Sequence, residues 1–315
     1  MTRFRDQRGQ TMVLSVLFLT VLLGMGALVL DVGSWYRADR AAQTTADAAA
    51  LAAAQALPDD PGFAVSLAVE YGDKNGGAVE AGDVEFSTKW VSNDTVSVKV
   101  ERPTPGFFSK LFGLDSVTVG AKASARAGAP AQALWVAPIV VNEQHPMLQN
   151  CGGEPCSDPT ELEYHHLKEN GSGPGPQEPD GAGSFGFINL DTSGGSNPGT
   201  SELGKWITQG FDQYMPLGDY EARTGNPFSS TNVGGALDDK IGEELLFPIY
   251  RKLTGTGSGA KYQIIGWVGF HLTGSDLTGN KEKLFGHFTR VIWAGIQGAS
   301  NSSNSPGVRV VQLVD

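Results

Sequence analysis

Apolar residues crowd into one early stretch of the chain and afterwards follow shorter periods. Thr11 to Leu30 reads TMVLSVLFLTVLLGMGALVL, twenty residues without a charge. At about 1.5 Å per residue, a helix of that length spans roughly 30 Å, the thickness of a bilayer core. The apolar run of a cleaved signal peptide is shorter, about 7–15 residues, and ends in a small-residue cleavage site. Here Asp31-Val32-Gly33-Ser34-Trp35-Tyr36 follows instead, with an aromatic pair where a membrane interface would hold it. A buried core helix rarely runs twenty residues without charge. The pattern predicts a membrane anchor.

Tyr36 to Leu57 then reads YRADRAAQTTADAAALAAAQAL, with eleven alanines and neither Gly nor Pro. Alanine has the highest helix propensity, so the helix should continue until Pro58 stops it. Ala38, Ala42, Thr45, Ala49, Ala53 and Ala56 recur at spacings of three and four and form a smooth stripe. Small residues let backbones approach closely. Two readings follow: the stripe packs on its own domain, or it packs on helices of partner subunits.

Beyond Pro58 the periods shorten. Phe63, Val65, Leu67, Ala68 and Tyr71 suggest a helix ending near Gly72. Val84, Phe86, Thr88 and Trp90 alternate with polar residues, Ser92-Asn93-Asp94 supplies a turn, and Thr95 to Val100 alternates again. This predicts a hairpin with one buried face, broken by Pro103 and Pro105. Phe107, Phe108, Leu111 and Phe112 have helical spacing, with Gly113 as a stop. A third strand puts Val117, Val119, Ala121, Ala123 and Ala125 on one face.

Charge sets orientation. Arg3, Arg5 and Arg8 against Asp6 make the first ten residues basic. The positive-inside rule keeps them cytoplasmic and sends everything after Asp31 outside. The whole chain is acidic, with a net charge of −11 over 315 residues. That excludes a nucleic-acid binder, which needs a basic face against phosphates. Hydrophobic content of 40% supports a folded core rather than disorder. Forty-two glycines and 17 prolines mark many turns.

The segments Arg8-Gly9-Gln10-Thr11, Leu30-Asp31-Val32-Gly33, and Ala46-Asp47-Ala48-Ala49-Ala50-Leu51-Ala52-Ala53-Ala54 together resemble TadG-like proteins of the tight-adherence (Flp) pilus assembly TadE/TadG group. The stretch Pro105 to Leu114 followed by Val117-Thr118-Val119 and Ala121-Lys122-Ala123-Ser124-Ala125 is similar to the same group's hairpin-helix-strand unit. The resemblance covers residues 8–126. It implies a membrane-anchored component of pilus assembly. Type IV prepilins are cleaved after a glycine and carry glutamate at the fifth mature position. Cleavage after Gly9 would place Leu14 there, so an uncleaved anchor is expected. Some TadG-like proteins carry a von Willebrand factor A domain with an Asp-x-Ser-x-Ser metal motif; Asp191-Thr192-Ser193-Gly194-Gly195 lacks its second serine.

The remainder reads as β-rich. Leu134 to Val141 is an apolar strand interrupted by Pro138, and Phe185 to Leu190 is a short strand. Residues 262–272, 284–294 and 308–314 read as strands. Leu203, Trp206 and Ile207 fit one helix; Leu237, Ile241 and Leu245 fit another, ending before Pro248. Asn170 to Ser184 is a Gly/Pro-rich loop. Cys151 and Cys156 flank Gly152-Gly153-Glu154-Pro155 in a region expected outside the cytoplasm, where disulfides persist. A Cys151–Cys156 bridge is expected, with free thiols or a metal clip as alternatives.

Candidate chemistry is thin. Asn189, Asp191, Ser193 and Gly194 have calcium-loop spacing, but Thr200 stands where the bidentate glutamate belongs. His165-His166 lies near Asp158, Glu161 and Glu163, yet adjacent histidines point apart. His271 and His287 lie on neighbouring strands and lack a third zinc ligand. Gly255 to Lys261 lacks the Gly-Lys-Ser/Thr of a phosphate loop. Ala182-Gly183-Ser184-Phe185-Gly186 lacks the first glycine of a nucleophile elbow. No catalytic, cofactor-binding or metal residue is assigned, and no enzyme is expected.

The expected architecture is α+β. Residues 1–10 form a cytoplasmic leader and 11–30 a transmembrane helix. Residues 31–128 form an Ala-rich helix with a small ββαβ pilin-like domain, and 129–315 a β-rich extracytoplasmic domain. The expected function is a single-pass membrane component acting through contacts with pilus or secretion-system subunits. The alternative class is an anchored extracytoplasmic enzyme or ligand-binding protein.

Overall fold

The computed structural model describes residues 8–149, 155–164, 184–192, 197–255, 259–278, 282–298 and 305–314. The chain divides into two units, Met1–Arg126 with Gln312–Asp315, and Ala127–Val311.

The first unit is built on one long helix, α1 (Arg8–Ala54). Helix α2 (Pro61–Lys74) opens with proline inside its first turn, and the Asp60 side chain accepts the Phe63 N–H at 2.8 Å as its N-cap. Strand β1 (Val84–Ser87) pairs antiparallel with β2 (Thr95–Pro105), and β2 pairs antiparallel with β3 (Ser116–Gly128). Val96, Val98 and Val100 stand opposite Ala125, Ala123 and Ala121. Helix α1 packs against both α2 and β2.

The alanine stripe lies in these contacts. Ala42, Thr45, Ala49 and Ala53 are fully buried, and so are Ala46 and Ala50. Ala38 and Ala56, at its ends, are only half-buried. The stripe therefore packs on its own unit. Close approach makes small residues necessary. Thr45 Oγ1 donates to the Asn75 carbonyl at 3.0 Å, and a Cβ added at Gly77 would run into the Thr45 side chain.

Four local expectations need correcting. Helix α1 stops at Ala54, ahead of Pro58. Gln55, Ala56 and Leu57 donate three residues back, to Ala52, Ala53 and Ala54, tightening the last turn before proline is reached. Strand β1 stops at Ser87, because the Asp94 carboxylate gathers the N–H groups of Lys89, Trp90 and Val91 into a loop. Pro103 and Pro105 lie inside β2, opposite Thr118 and Ser116. The β1 pairing ends at Val98, so proline sits where β2 has an edge and little ladder to lose. The helix expected at Phe107–Phe112 is a 3-10 turn, Ser109–Phe112, ended by Gly113 in the left-handed region (φ 79°).

The second unit begins with β4 (Pro130–Ala133), β5 (Ile139–Asn142), α3 (Pro146–Gln149), β6 (Thr160–Tyr164) and β7 (Ser184–Phe187). Then come α4 (Thr200–Gln209), β8 (Met215–Pro216), β9 (Gly218–Glu221), α5 (Thr231–Asp238), β10 (Glu244–Thr254) and β11 (Lys261–Asp276). It closes with β12 (Lys283–Thr289), β13 (Val291–Ile292), β14 (Gly295–Gln297) and the start of β15 (Val308–Val314), whose residues from Gln312 onward belong to the first unit. The order β10-β5-β7-β6-β12-β11 returns to β10, so these strands close into a ring, with β9 added to β11. Two neighbours in the ring, β5–β10 and β6–β7, run parallel and the rest antiparallel. Strand β4 lies between β14 and β8 in a separate small sheet.

Aromatic side chains dominate this core: Phe185, Phe187, Phe247, Trp267, Phe270 and Phe288 are all buried. Phe247 stacks on Phe270 at 5.1 Å between centroids, and Phe270 meets Phe288 edge-on at 5.3 Å. A Cβ at Gly286 would collide with the Phe270 ring and the His271 carbonyl, which fixes glycine at that point of β12. One expected helix is corrected here. Helix α5 ends at Asp238, and Leu245 and Pro248 belong to β10, with Pro248 opposite Trp267. Ile241 is exposed in the intervening turn.

Candidate functional site

The residues that relate the apolar helix to its domain meet at Asp31. This is the first charged residue after the uncharged run, and it is only 2% exposed. Its Oδ1 accepts the Phe107 N–H at 2.8 Å, and its Oδ2 accepts the Ser109 N–H at 2.6 Å. The Phe108 N–H reaches both oxygens, at 3.2 and 3.1 Å. Three consecutive backbone donors thus converge on one carboxylate, a charge-assisted arrangement stronger than neutral hydrogen bonds. A buried carboxylate needs such partners.

The turn that supplies these donors is closed within itself. Gly106 N–H donates to the Asp115 carbonyl at 3.1 Å, and Ser109 Oγ donates to the Leu114 carbonyl at 3.0 Å. A Cβ at Gly106 would collide with Ser109 Oγ. Gly106 and Gly113 therefore explain the spacing Gly-Phe-Phe-Ser-Lys-Leu-Phe-Gly. Tying the backbone inward leaves the apolar side chains outward: Phe107, Phe108, Leu111, Phe112 and Leu114 are all exposed, Leu111 at 80% and Phe112 at 84%.

The apolar helix itself is bare. Among the described residues one helix, with its candidate span running Thr11–Ala54, is long and apolar enough to cross a membrane, and none of its most apolar 18-residue window is buried. A core helix of a water-soluble domain would be covered.

Residues 9–56 match the family model described as putative Flp pilus-assembly TadE/G-like. The N-terminal segment is similar to that family over those residues. No curated protein and no solved structure matches the chain. The TadE/G-like segment coincides almost residue for residue with α1, from the arginine-flanked start through the alanine stripe. It includes Asp31 but not the turn that Asp31 holds.

The unit also has a groove of about 510 Å³ lined by Gln43, Asp47, Lys122, Ser124, Leu313 and Val314. Gln43 Nε2 donates to Asp47 Oδ1 at 2.7 Å, and Lys122 reaches Glu85 at 3.4 Å. Gln43 and Asp47 thus satisfy each other, while Lys122 and Ser124 are engaged by Glu85 and Ser97 beside the groove.

The other sequence candidates fall as follows. The Asn189 side chain accepts the Asp191 N–H at 3.0 Å, a turn of the Asx kind, and Thr200 begins α4; Ser193 and Gly194 lie outside the described residues. His165 and His166 also lie outside them. Glu161 forms an ion pair with Lys283 at 2.5 Å. His271 and His287 do meet, directly opposite in the β11–β12 ladder with ring centroids 5.0 Å apart. Glu244 Oε1 lies 3.1 Å from His271 Nδ1. Among the described residues no group of three or more His, Cys, Asp or Glu is placed to hold a metal ion. Lys261 opens β11, and Ser184 opens β7; residues 256–258 and 182–183 lie outside the described set. Cys151 lies outside it as well.

Two titratable groups stand out by environment. Burial alone would raise the Asp94 carboxyl, but donation from the Val91, Trp90 and Lys89 N–H groups and the Thr95 hydroxyl outweighs it and holds the group below its ordinary value. Burial lowers His145 to about 4. Its Nδ1 accepts the Met147 N–H at 3.2 Å and its ring meets Phe288 edge-on at 5.0 Å. The sequence marked Asp94 only as part of a turn and did not mark His145.

Proposed function

We propose that this protein is a single-pass, non-enzymatic assembly component of a bacterial cell envelope. Residues 1–10 lie in the cytoplasm, residues 11–30 cross the cytoplasmic membrane, and the chain from Asp31 onward lies outside. There it works by protein–protein contact with pilus or secretion-system subunits. The observation that supports the reading is the coincidence of the TadE/G-like match with a bare apolar helix. The order of long helix, β1, β2, 3-10 turn and β3 is read as a pilin-like domain carried on that helix. The reading also implies a Cys151–Cys156 disulfide in an oxidising compartment.

The test is genetic and topological. Deleting the gene should abolish surface fibres, and the intact gene should restore them. The Leu17→Arg, Leu22→Arg variant should fail to restore them and leave the membrane fraction, because each charge costs about 2.5–3.5 kcal/mol at a span centre. A reporter fused after Asp315 should be active outside the cytoplasm. Normal fibres in the deletion strain reject the role, and unchanged fractionation of the arginine variant rejects the anchor.

A further inference from the structure

The turn between β2 and β3 presents five exposed apolar side chains, Phe107, Phe108, Leu111, Phe112 and Leu114, within one short segment. A contiguous apolar cluster of this kind marks a contact surface. Its place in the fold decides what covers it. The turn is bound through three backbone N–H groups to Asp31, the residue next after the apolar run. Farther along α1, Thr45 is bound to the end of α2 through the Asn75 carbonyl. At about 1.5 Å per residue, Asp31 lies roughly 21 Å nearer the span than Thr45 does. Helix α1 also packs against β2, so the β2–β3 hairpin runs beside α1 with its turn at the end where the span begins.

Chemistry agrees with position. The segment Phe107-Phe108-Ser109-Lys110-Leu111-Phe112-Gly113-Leu114 holds three aromatic rings, two leucines, one lysine and no acid. Aromatic rings and snorkelling lysines are enriched where a bilayer meets water. Tyr36, also exposed, lies little more than one helical turn beyond Asp31. The turn is already held in shape by the carboxylate, so insertion orders little additional chain.

From this we infer that Phe107–Leu114 is a second membrane contact. The turn seats its aromatic and leucine side chains in the interfacial layer of the membrane that α1 crosses, with Lys110 at the lipid phosphates. The inference rests on the anchored reading above. A single helix leaves a domain free to swivel and tilt; a second contact at its base fixes the face presented to partners.

The experiment uses the full chain in vesicles of phosphatidylcholine and phosphatidylglycerol containing a phospholipid with a photoreactive group high on one acyl chain. After illumination and digestion, mass spectrometry reads which peptides carry lipid. Adducts are expected on peptides from residues 11–30 and on those containing Phe107–Leu114. Phe63, exposed at the start of α2 just past the end of α1, which lies roughly 36 Å beyond Leu30, should carry none. The Leu111→Asp, Phe112→Asp variant should lose the adduct at the turn and keep it on the span. A labelled span with an unlabelled turn, whether the turn faces water or a protein subunit, overturns the inference and leaves the anchor standing. An unlabelled span overturns the anchored reading itself.

Discussion

Asp31 and Ser109 are separated by 78 positions, yet the Asp31 carboxylate accepts the Ser109 N–H at 2.6 Å. That bond, with those from Phe107 and Phe108, pins the hairpin turn to the helix just where the apolar run ends. Replacing Asp31 by Ala should free all three donors, and Asn should keep one acceptor and lie between. The readout is amide hydrogen exchange in detergent micelles. Exchange at Phe107, Phe108 and Ser109 should accelerate in the order wild type, Asn, Ala, while α2 amides stay unchanged. Unaltered exchange at Ser109 in Asp31→Ala would show that the turn is held by something else.

The alanine stripe makes a second prediction. Ala49 and Ala53 have no exposed surface, and α1 packs on both α2 and β2. Ala49→Leu adds three carbons to a side chain with no exposed surface, on the helix that packs against α2 and β2. Overpacking of this kind costs typically 1–3 kcal/mol. Thermal unfolding should move down accordingly. Ala38→Leu, at the half-buried end of the stripe, should shift it far less. Equal effects at the two positions would contradict the packing described.

These two sites show what a single sequence discloses. The helix, its alanine stripe and the alternation of β3 were legible because each repeats with a period set by local geometry. The stripe's partner was not, since small residues serve a sheet of the same chain as well as a helix of another. Asp31 was visible as a motif residue, but its role was not: its partners are backbone N–H groups, which no side-chain pattern encodes. Pro103 and Pro105 misled for a related reason. Whether proline breaks a strand depends on whether that edge has a neighbour, and the neighbour's length is not written locally. The closed ring of the second unit was equally hidden, because β5 meets β10 across about a hundred residues. His271 and His287 were placed together by strand order alone, and Glu244 joined them only through the β10–β11 register.

The expected disulfide is open to direct chemistry. Cys151 and Cys156 should resist alkylation in purified, non-reduced protein and label together after reduction and denaturation. The loop between them is short, so reduction should lower stability only modestly, since closure entropy grows with loop length. Immediate labelling of both thiols in protein kept from reductants would reject the bridge.

His145 gives a pH dependence with a definite sign. Burial holds its pKa at about 4 in the folded protein, against 6.5 for the free side chain. The folded form keeps the ring neutral, with Nδ1 accepting the Met147 N–H. As pH falls below 6.5 the unfolded chain takes up a proton that the folded chain refuses, so stability drops. The loss runs through the window from 6.5 to about 4 and then levels off for this group. Its upper limit is roughly 3–4 kcal/mol, at about 1.4 kcal/mol per pKa unit. Carboxylates such as Asp94, whose pKa is lowered, add their own loss at lower pH. The contribution of His145 is therefore the difference between wild type and His145→Asn, which retains an acceptor but does not titrate. Denaturant midpoints measured between pH 7 and 4 should fall more steeply for the wild type. Parallel slopes would mean that the ring is protonated in the folded state, and that the buried contact with Phe288 does not exclude the charge.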